Sequence, residues 1–232
     1  MHPDYSIHRV SLGNVSSFLV CSEGKAMLVD SGSSGSETGI MEAISKSGLA
    51  PGDLKLLIIT HAHYDHAGSA VRLKQLTGCS IIIHSLEEER LLKGYSPLPP
   101  GTRWKAKLLI GAGRLIAKRI GRFTGAQADI LVDSSLDLVE FGFPGRVIHT
   151  PGHTRGSMVL LMEGGELFAG DTMFGIPGKE HFPPFAEDLP ALLQSWERIR
   201  DMEVRTIYPA HGKQFPRDSF LNEFERAIKK YR

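Results

Sequence analysis

Cysteine is nearly missing from this chain: only Cys21 and Cys79 occur in 232 residues. Two thiols so far apart make neither a disulfide framework nor a zinc knuckle, and both are expected as small buried hydrophobes. Long apolar runs are missing too. No stretch approaches the roughly 18 uninterrupted apolar residues of a membrane-spanning helix, and Met1-His2-Pro3-Asp4-Tyr5 lacks the basic start and apolar core of a secretory leader. The expected compartment is the cytoplasm. Excess charge of one sign is also absent: 27 Lys and Arg stand against 26 Asp and Glu, a formal net of +1. The average composition therefore argues for neither nucleic acid nor an anionic surface as partner. No internal repeat of short fixed period occurs. Nor does the Gly-x-Ser-x-Gly elbow of a serine nucleophile, and Ser157 in Arg155-Gly156-Ser157 reads as the start of a strand.

What is present is the composition of an ordinary globular chain, 41% hydrophobic and 23% charged, over a length that fits one large domain with a sizeable core. Residues 15–20 and 25–30 read as strands joined by a turn at Gly24 and ending in Ser31-Gly32-Ser33-Ser34-Gly35. A helix is predicted over about 37–48. Strands at 54–60 and 80–84 flank a helix from 68 to 76, where Val71, Leu73 and Leu76 recur at a helical rhythm. Further strands fit 146–149, 158–162, 167–169 and 206–208, and further helices 191–202 and 218–230. Strands alternating with helices predict a layered α/β fold over a single domain, 1–232.

The chemistry concentrates at residues 61–66, His-Ala-His-Tyr-Asp-His, directly after the apolar run 54–59. Imidazole nitrogen and carboxylate oxygen are ligands that zinc, iron or manganese accept, and so many of them together are hard to satisfy in a dry core. Alternation at a strand end lets His61 and His63 face one ion. Asp65 and His66, at the mouth of the next helix, could serve a second. Three more candidates sit in Gly- or Pro-bordered loops after apolar strands: His153 in Pro151-Gly152-His153, Asp171 in Gly170-Asp171-Thr172 and His211 in Ala210-His211-Gly212. Alone, each reads as a hydrogen-bonded loop residue or a turn cap, and so does Asp30 before Ser31-Gly32. Together, one metal centre accounts for all of them. Each half of the chain runs strand, ligand loop, helix, as a duplication would leave it.

Asp30, the 61–66 cluster, His153, Asp171 and His211 resemble, in order, the five motifs of the metallo-β-lactamase superfamily, over nearly the whole chain. The resemblance implies a four-layer αβ/βα sandwich. It implies that His61, His63 and His153 bind a first metal, that Asp65, His66 and His211 bind a second, and that Asp171 bridges them, with Asp30 orienting a ligand loop. The cofactors implied are two divalent ions, zinc ahead of iron or manganese. Two such ions share a water, lower its pKa and aim the resulting hydroxide at an electrophile. Asp65 is the expected catalytic residue, passing a proton to the leaving group. The reading is an enzyme, a metal-dependent hydrolase of an ester, thioester or lactone, similar to glyoxalase II or a lactonase. Iron-dependent oxidoreductases of the persulfide dioxygenase kind and phosphodiesterases or nucleases are the alternatives.

Between residues 90 and 128 nine basic residues occur with no Asp or Glu. Residues 88–128 therefore read as a basic insert, with an amphipathic helix at 103–122 whose Leu108, Ala112, Leu115, Ile116 and Ile120 form one face. Such a helix either packs on the domain, covers the site and meets an anionic or acyl-bearing substrate, or touches a membrane surface peripherally, in falling order of preference. The expected partner is a small-molecule substrate, and nucleic acid is disfavoured. His181, in the loop 175–185, is a further candidate wall of the site.

Overall fold

Period-two alternation splits the apolar residues of each strand between two faces, and the split sets the layers. In β2 (Val15–Ser22) Phe18 and Val20 join one buried cluster while Leu19 joins another. The structure, a computed structural model, describes residues 5–102 and 121–231. Its first six-stranded sheet places β1 (Ser6–Leu12), β2, β3 (Lys25–Val29), β4 (Leu54–Ile58), β5 (Ser80–His84) and β6 (Ile130–Val132) side by side in that order. The pairs β1–β2 and β2–β3 are antiparallel, and β3 to β6 run parallel.

The second six-stranded sheet is built likewise from β7 (Ser135–Asp137), β8 (Gly145–His149), β9 (Met158–Met162), β10 (Glu166–Gly170), β11 (Thr206–Pro209) and β12 (Phe215–Pro216). There only β10 and β11 pair in parallel.

Three apolar clusters fill the gaps between layers. Phe18, Met27, Leu56 and Ile82 of the first sheet meet Val147, Met158, Leu160 and Phe168 of the second. On the outer face of the first sheet, Leu28, Leu57 and Ile81 pack on Ile40 and Ile44 of α1 (Glu37–Lys46) and Leu73 of α3 (Ala70–Thr77). On the outer face of the second, Val159, Leu167 and Ile207 pack on Trp196 and Ile199 of α5 (Leu189–Arg200) and on Phe220 and Phe224 of α6 (Arg217–Tyr231). The order helix, sheet, sheet, helix is the four-layer αβ/βα sandwich that the resemblance implied.

The helix expected over 68–76 is α3, and a separate short helix, α2 (Tyr64–Ala67), precedes it, the two broken at Gly68. The Gly68 N–H donates to the Gly32 carbonyl at 2.9 Å, and a Cβ there would strike the Tyr64 carbonyl and, at 2.5 Å, the Ser34 nitrogen. The 31–35 loop therefore lies against the helix ends, which sequence rhythm does not reveal. The helix expected to reach Gly48 stops at Lys46, followed by Gly48 at φ +75°. The short strands β6, β7 and β12 and the mostly exposed edge strand β1 carry too little periodic apolar signal to be predicted. Cys79 is buried as expected, whereas Cys21 is only half-buried.

Helix α4 (Glu88–Lys93) opens the basic stretch. Tyr95 then pairs with Arg122 and Gly101 with Phe185 as isolated antiparallel bridges, so both flanks of 103–120 are anchored. Residues 103–120, most of the amphipathic helix read at 103–122, lie outside the described residues. Among those described, no helix is long and apolar enough to cross a membrane.

Candidate metal centre

Every candidate donor leaves the C-terminal end of a strand. His61, His63, Asp65 and His66 follow β4, His153 follows β8, Asp171 follows β10 and His211 follows β11. At this edge the two sheets are tied by backbone hydrogen bonds, Ser16 to Ala210 at 2.8 Å and Met158 to Thr60 at 2.9 Å. A rigid sheet edge with loops on it is a common place to hold reacting groups. Helix α5 braces two of the loops. Ser195 Oγ donates to the Pro151 carbonyl at 2.7 Å and Trp196 Nε1 to the Thr172 carbonyl at 2.8 Å. Gly152, at φ +137°, lies so close to the Leu192 backbone that only a glycine fits.

All seven predicted donors come together in two groups, His61, His63, His153 and Asp171 in one, and Asp65, His66 and His211 in the other, each with its ligand atoms within 4.8 Å of one another. In the first, His61 Nε2 stands 2.8 Å from His63 Nδ1, which is 3.2 Å from His153 Nε2. Asp171 lies between the groups: Oδ1 is 3.3 Å from His66 Nε2 and 3.4 Å from His211 Nε2, and Oδ2 is 3.5 Å from His153 Nε2. Asp65 Oδ2 is 3.4 Å from His211 Nε2.

Hydrogen-bond accounting sets the imidazole tautomers, because a carbonyl or carboxylate can only accept. His153 Nδ1 must donate to the Phe185 carbonyl at 3.0 Å, and His211 Nδ1 to the Asn14 carbonyl at 2.8 Å. His66 Nδ1 donates to Asp30 Oδ2 at 2.8 Å. The Thr60 hydroxyl spends its single proton on Asp30, so at 3.1 Å it accepts from His61 Nδ1. All four rings thus present Nε2 to the site. In the neutral rings of His61 and His153 that atom is a bare lone pair, and both lone pairs face His63 Nδ1, which holds one proton at most. His66 Nε2 and Asp171 Oδ1 face each other at 3.3 Å, both buried, as an ion-pair contact without well-aligned hydrogen-bond geometry. Unshared lone pairs crowded in a buried space are what a cation satisfies, so these residues fit a metal centre.

Asp30 explains its own odd backbone. It is buried, at φ +60°, a left-handed conformation that Asp tolerates better than most residues. Strain of this kind costs about 1–3 kcal/mol. Hydrogen bonds to a charged group contribute about 1.5–3 kcal/mol each. The Asp30 carboxylate accepts from the Thr60 N–H at 2.8 Å, the Thr60 hydroxyl and His66, so the bonds outweigh the strain.

Burial and then the neighbouring imidazoles, His66 foremost, hold His61 well below the ordinary imidazole value. His63 is lowered for the same reasons, with His153 its main neighbour, and burial also lowers His153 against the pull of Asp171. His66 goes the other way: burial would lower it, but Asp30, Asp171 and Asp65 raise it well above the usual range. In His211, too, Asp171 and Asp65 outweigh burial. Burial pushes Asp65 and Asp171 up, and the imidazoles around them more than reverse it.

His181 is not part of this cluster. Its Nδ1 meets the Phe174 carbonyl at 2.8 Å, its Nε2 meets Ser219 Oγ at 2.7 Å, and its ring stacks on Phe215 at 3.7 Å. Both nitrogens are occupied, and the residue pins its loop to α6. Sequence reasoning missed Thr60 and the carbonyls of Asn14 and Phe185. Backbone acceptors carry no side-chain signature, and a threonine at a strand end has none of its own.

Sequence comparison places the chain in a family. The profile of the Metallo-beta-lactamase superfamily matches residues 10–211, and the chain belongs to that superfamily. It is 29% identical over 201 residues to the probable metallo-hydrolase MJ0888 of Methanocaldococcus jannaschii, covering 84% of this chain and 87% of that one. It is 31% identical over 163 residues to the hydroxyacylglutathione hydrolase GloC of Haemophilus influenzae, covering 69% and 68%. The chain spans 57% of the length of the Caenorhabditis elegans beta-lactamase-like protein 2 homolog, to which it is 29% identical. Among solved structures, the metallo-beta-lactamase SMB-1 superposes with a TM-score of 0.70 at 19% identity, over 98% of this chain and 94% of that one. At that identity the likeness is one of fold.

Proposed function

We propose that this protein is a two-metal hydrolase of a small ester, thioester or lactone. The observation that carries the reading is the convergence on Asp171 of Nε2 atoms from His153, His66 and His211, with His61 in the same donor group. His61 Nε2, His63 Nδ1 and His153 Nε2 would hold the first ion. Asp65, His66 and His211 would hold the second, and Asp171 has an oxygen for each. An all-nitrogen and oxygen donor set without cysteine suits zinc, and after it iron or manganese. Bound there, divalent ions supply an acidified water and a Lewis acid for the substrate oxygen.

The chain's own residues do the rest. Asp30, Thr60, Asn14 and Phe185 hold the donor rings in one orientation. Asp65 is the group suited to move a proton: it is less enclosed than Asp171, with 19% of its side chain accessible against 7%. A carboxylate beside the site can take a proton and return it to a leaving group. The name of the Haemophilus relative, a hydroxyacylglutathione hydrolase, supports an acyl-thioester substrate.

The test is elemental analysis of protein purified from medium supplied with zinc and iron, followed by a panel of thioesters, lactones and phosphodiesters. About two zinc ions per chain with turnover of a thioester or lactone is the expected result. Failure to retain any metal defeats the proposal, and so does oxygen uptake with a persulfide by an iron-loaded protein that hydrolyses nothing.

A further inference from the structure

Glu87 is fully buried, carries a carboxylate, and accepts from backbone N–H groups beside the donors. Its position is unusual. Oε2 accepts from the Ala62 N–H at 3.1 Å, and Ala62 is the residue between His61 and His63. Oε1 accepts from the Gly156 N–H at 3.2 Å, three residues beyond His153, and the Thr154 side chain bonds to the same carboxylate. Gly156 is the residue that permits this approach, since a Cβ there would stand 2.6 Å from Glu87 Cγ. One buried side chain therefore joins the donor loop of the first sheet to a donor loop of the second.

A second arm runs beside it. Arg90 reaches Glu87 Oε1 at 3.4 Å through Nη1 and Glu187 Oε1 at 2.8 Å through Nη2. Glu187 Oε2 accepts from the Arg155 N–H at 3.0 Å, and its own N–H donates to the His153 carbonyl at 3.0 Å. Burying a carboxylate is costly unless its oxygens are occupied and a counter-charge is near, and here both conditions are met. A carboxylate is well suited to accept from N–H groups on two loops at once. An amide has one oxygen, and its NH₂ would face one of those N–H groups.

We propose that Glu87 is a positioning residue for the first metal group, clamping the His61–His63 loop and the His153 loop at the separation that lets their three nitrogens converge. The inference rests on the metal-centre reading above and adds a residue that no motif points to. Glu87→Gln keeps the shape and removes one of the two N–H acceptors.

The experiment measures zinc affinity by chelator competition, the visible spectrum of the cobalt(II)-loaded protein and the thermal midpoint of the metal-free protein. It compares wild type, Glu87→Gln, Arg90→Met and the core control Ile44→Ala. The expected result for Glu87→Gln is a ~10–100-fold weaker hold on one of two zinc ions, the range seen when outer partners of metal ligands are lost. The other ion should stay near wild-type affinity and the cobalt bands should shift. Arg90→Met should move the same readouts in the same direction by less, and it serves alone if Glu87→Gln does not fold.

Unchanged affinity and spectrum in the folded variants overturn the proposal. Equal weakening in Ile44→Ala, at a matched loss of thermal midpoint, overturns it too, because the effect would then be one of stability alone. Wild-type protein that binds neither zinc nor cobalt would instead defeat the metal-centre reading itself, so the two failures are separable.

Discussion

The two donor groups meet at Asp171, the proposed shared residue, and differ in almost everything else. His61, His63 and His153 are buried at 1%, 4% and 2% exposure, and all three are shifted toward the neutral form, by burial first and by neighbouring imidazoles after it. In the other group His66 is equally buried but surrounded by carboxylates, and His211 and Asp65 reach the surface with 16% and 19% of their side chains. Those carboxylates hold His66 and His211 protonated to higher pH. The same residue type in one cavity is thus tuned in opposite directions by its nearest charges. An ion entering the first group displaces few protons, whereas one entering the second must drive them off.

The comparison breaks most completely at the shared residue. Asp171→Ala should release metal from both groups and abolish turnover while the sheets persist by circular dichroism. Retention of both ions by elemental analysis would end the bridging assignment. His63→Ala and His211→Ala separate the groups. Each should leave about one ion per chain and lower kcat/KM by orders of magnitude, because the proposed two-ion centre would act as a unit. Loss of both ions from either variant would show that the groups do not fill independently.

Acid sharpens the contrast. As pH falls through the raised values of His66 and His211, protons compete with the ion there first, while the lowered values of His61, His63 and His153 keep their lone pairs free to lower pH. Metal titrations at descending pH should therefore lose one ion before the other. Calorimetry in buffers of different ionisation enthalpy should show proton release mainly with the ion lost first. Asp30→Asn is a smaller change: it removes the charge that orients His66, and should weaken only the second group's ion by ~10–100-fold. The smallest expected effect is that of Ile44→Val, in the outer cluster on α1 and not among the donors. It should cost about 0.5–1.5 kcal/mol of stability in denaturant unfolding and leave metal affinity unchanged.

Much of this was legible in the residues, but unevenly. His61, His63, Asp65 and His66 stand on one short stretch, so their proximity is guaranteed by covalent connection. His153, Asp171 and His211 were visible only as polar residues in Gly- and Pro-bordered loops after apolar strands, and their order along the chain connected them. Thr60 and Glu87 were not legible, because each acts through a hydrogen bond whose partner lies elsewhere in the fold. His181 shows the opposite case, a candidate that packing against Phe215 and Ser219 turned into a brace.

By itself the sequence determined the donor types, the local 61–66 cluster and the alternation of strands and helices that makes a layered α/β domain, since each depends on neighbours a few residues apart. Only the tertiary structure decided that three distant loops share one edge, that four rings turn Nε2 inward, and that one set of imidazoles is shifted toward the neutral form and the other toward the protonated one. Those outcomes depend on burial and on charges at distances set by how the sheets pack, which chain order does not encode locally.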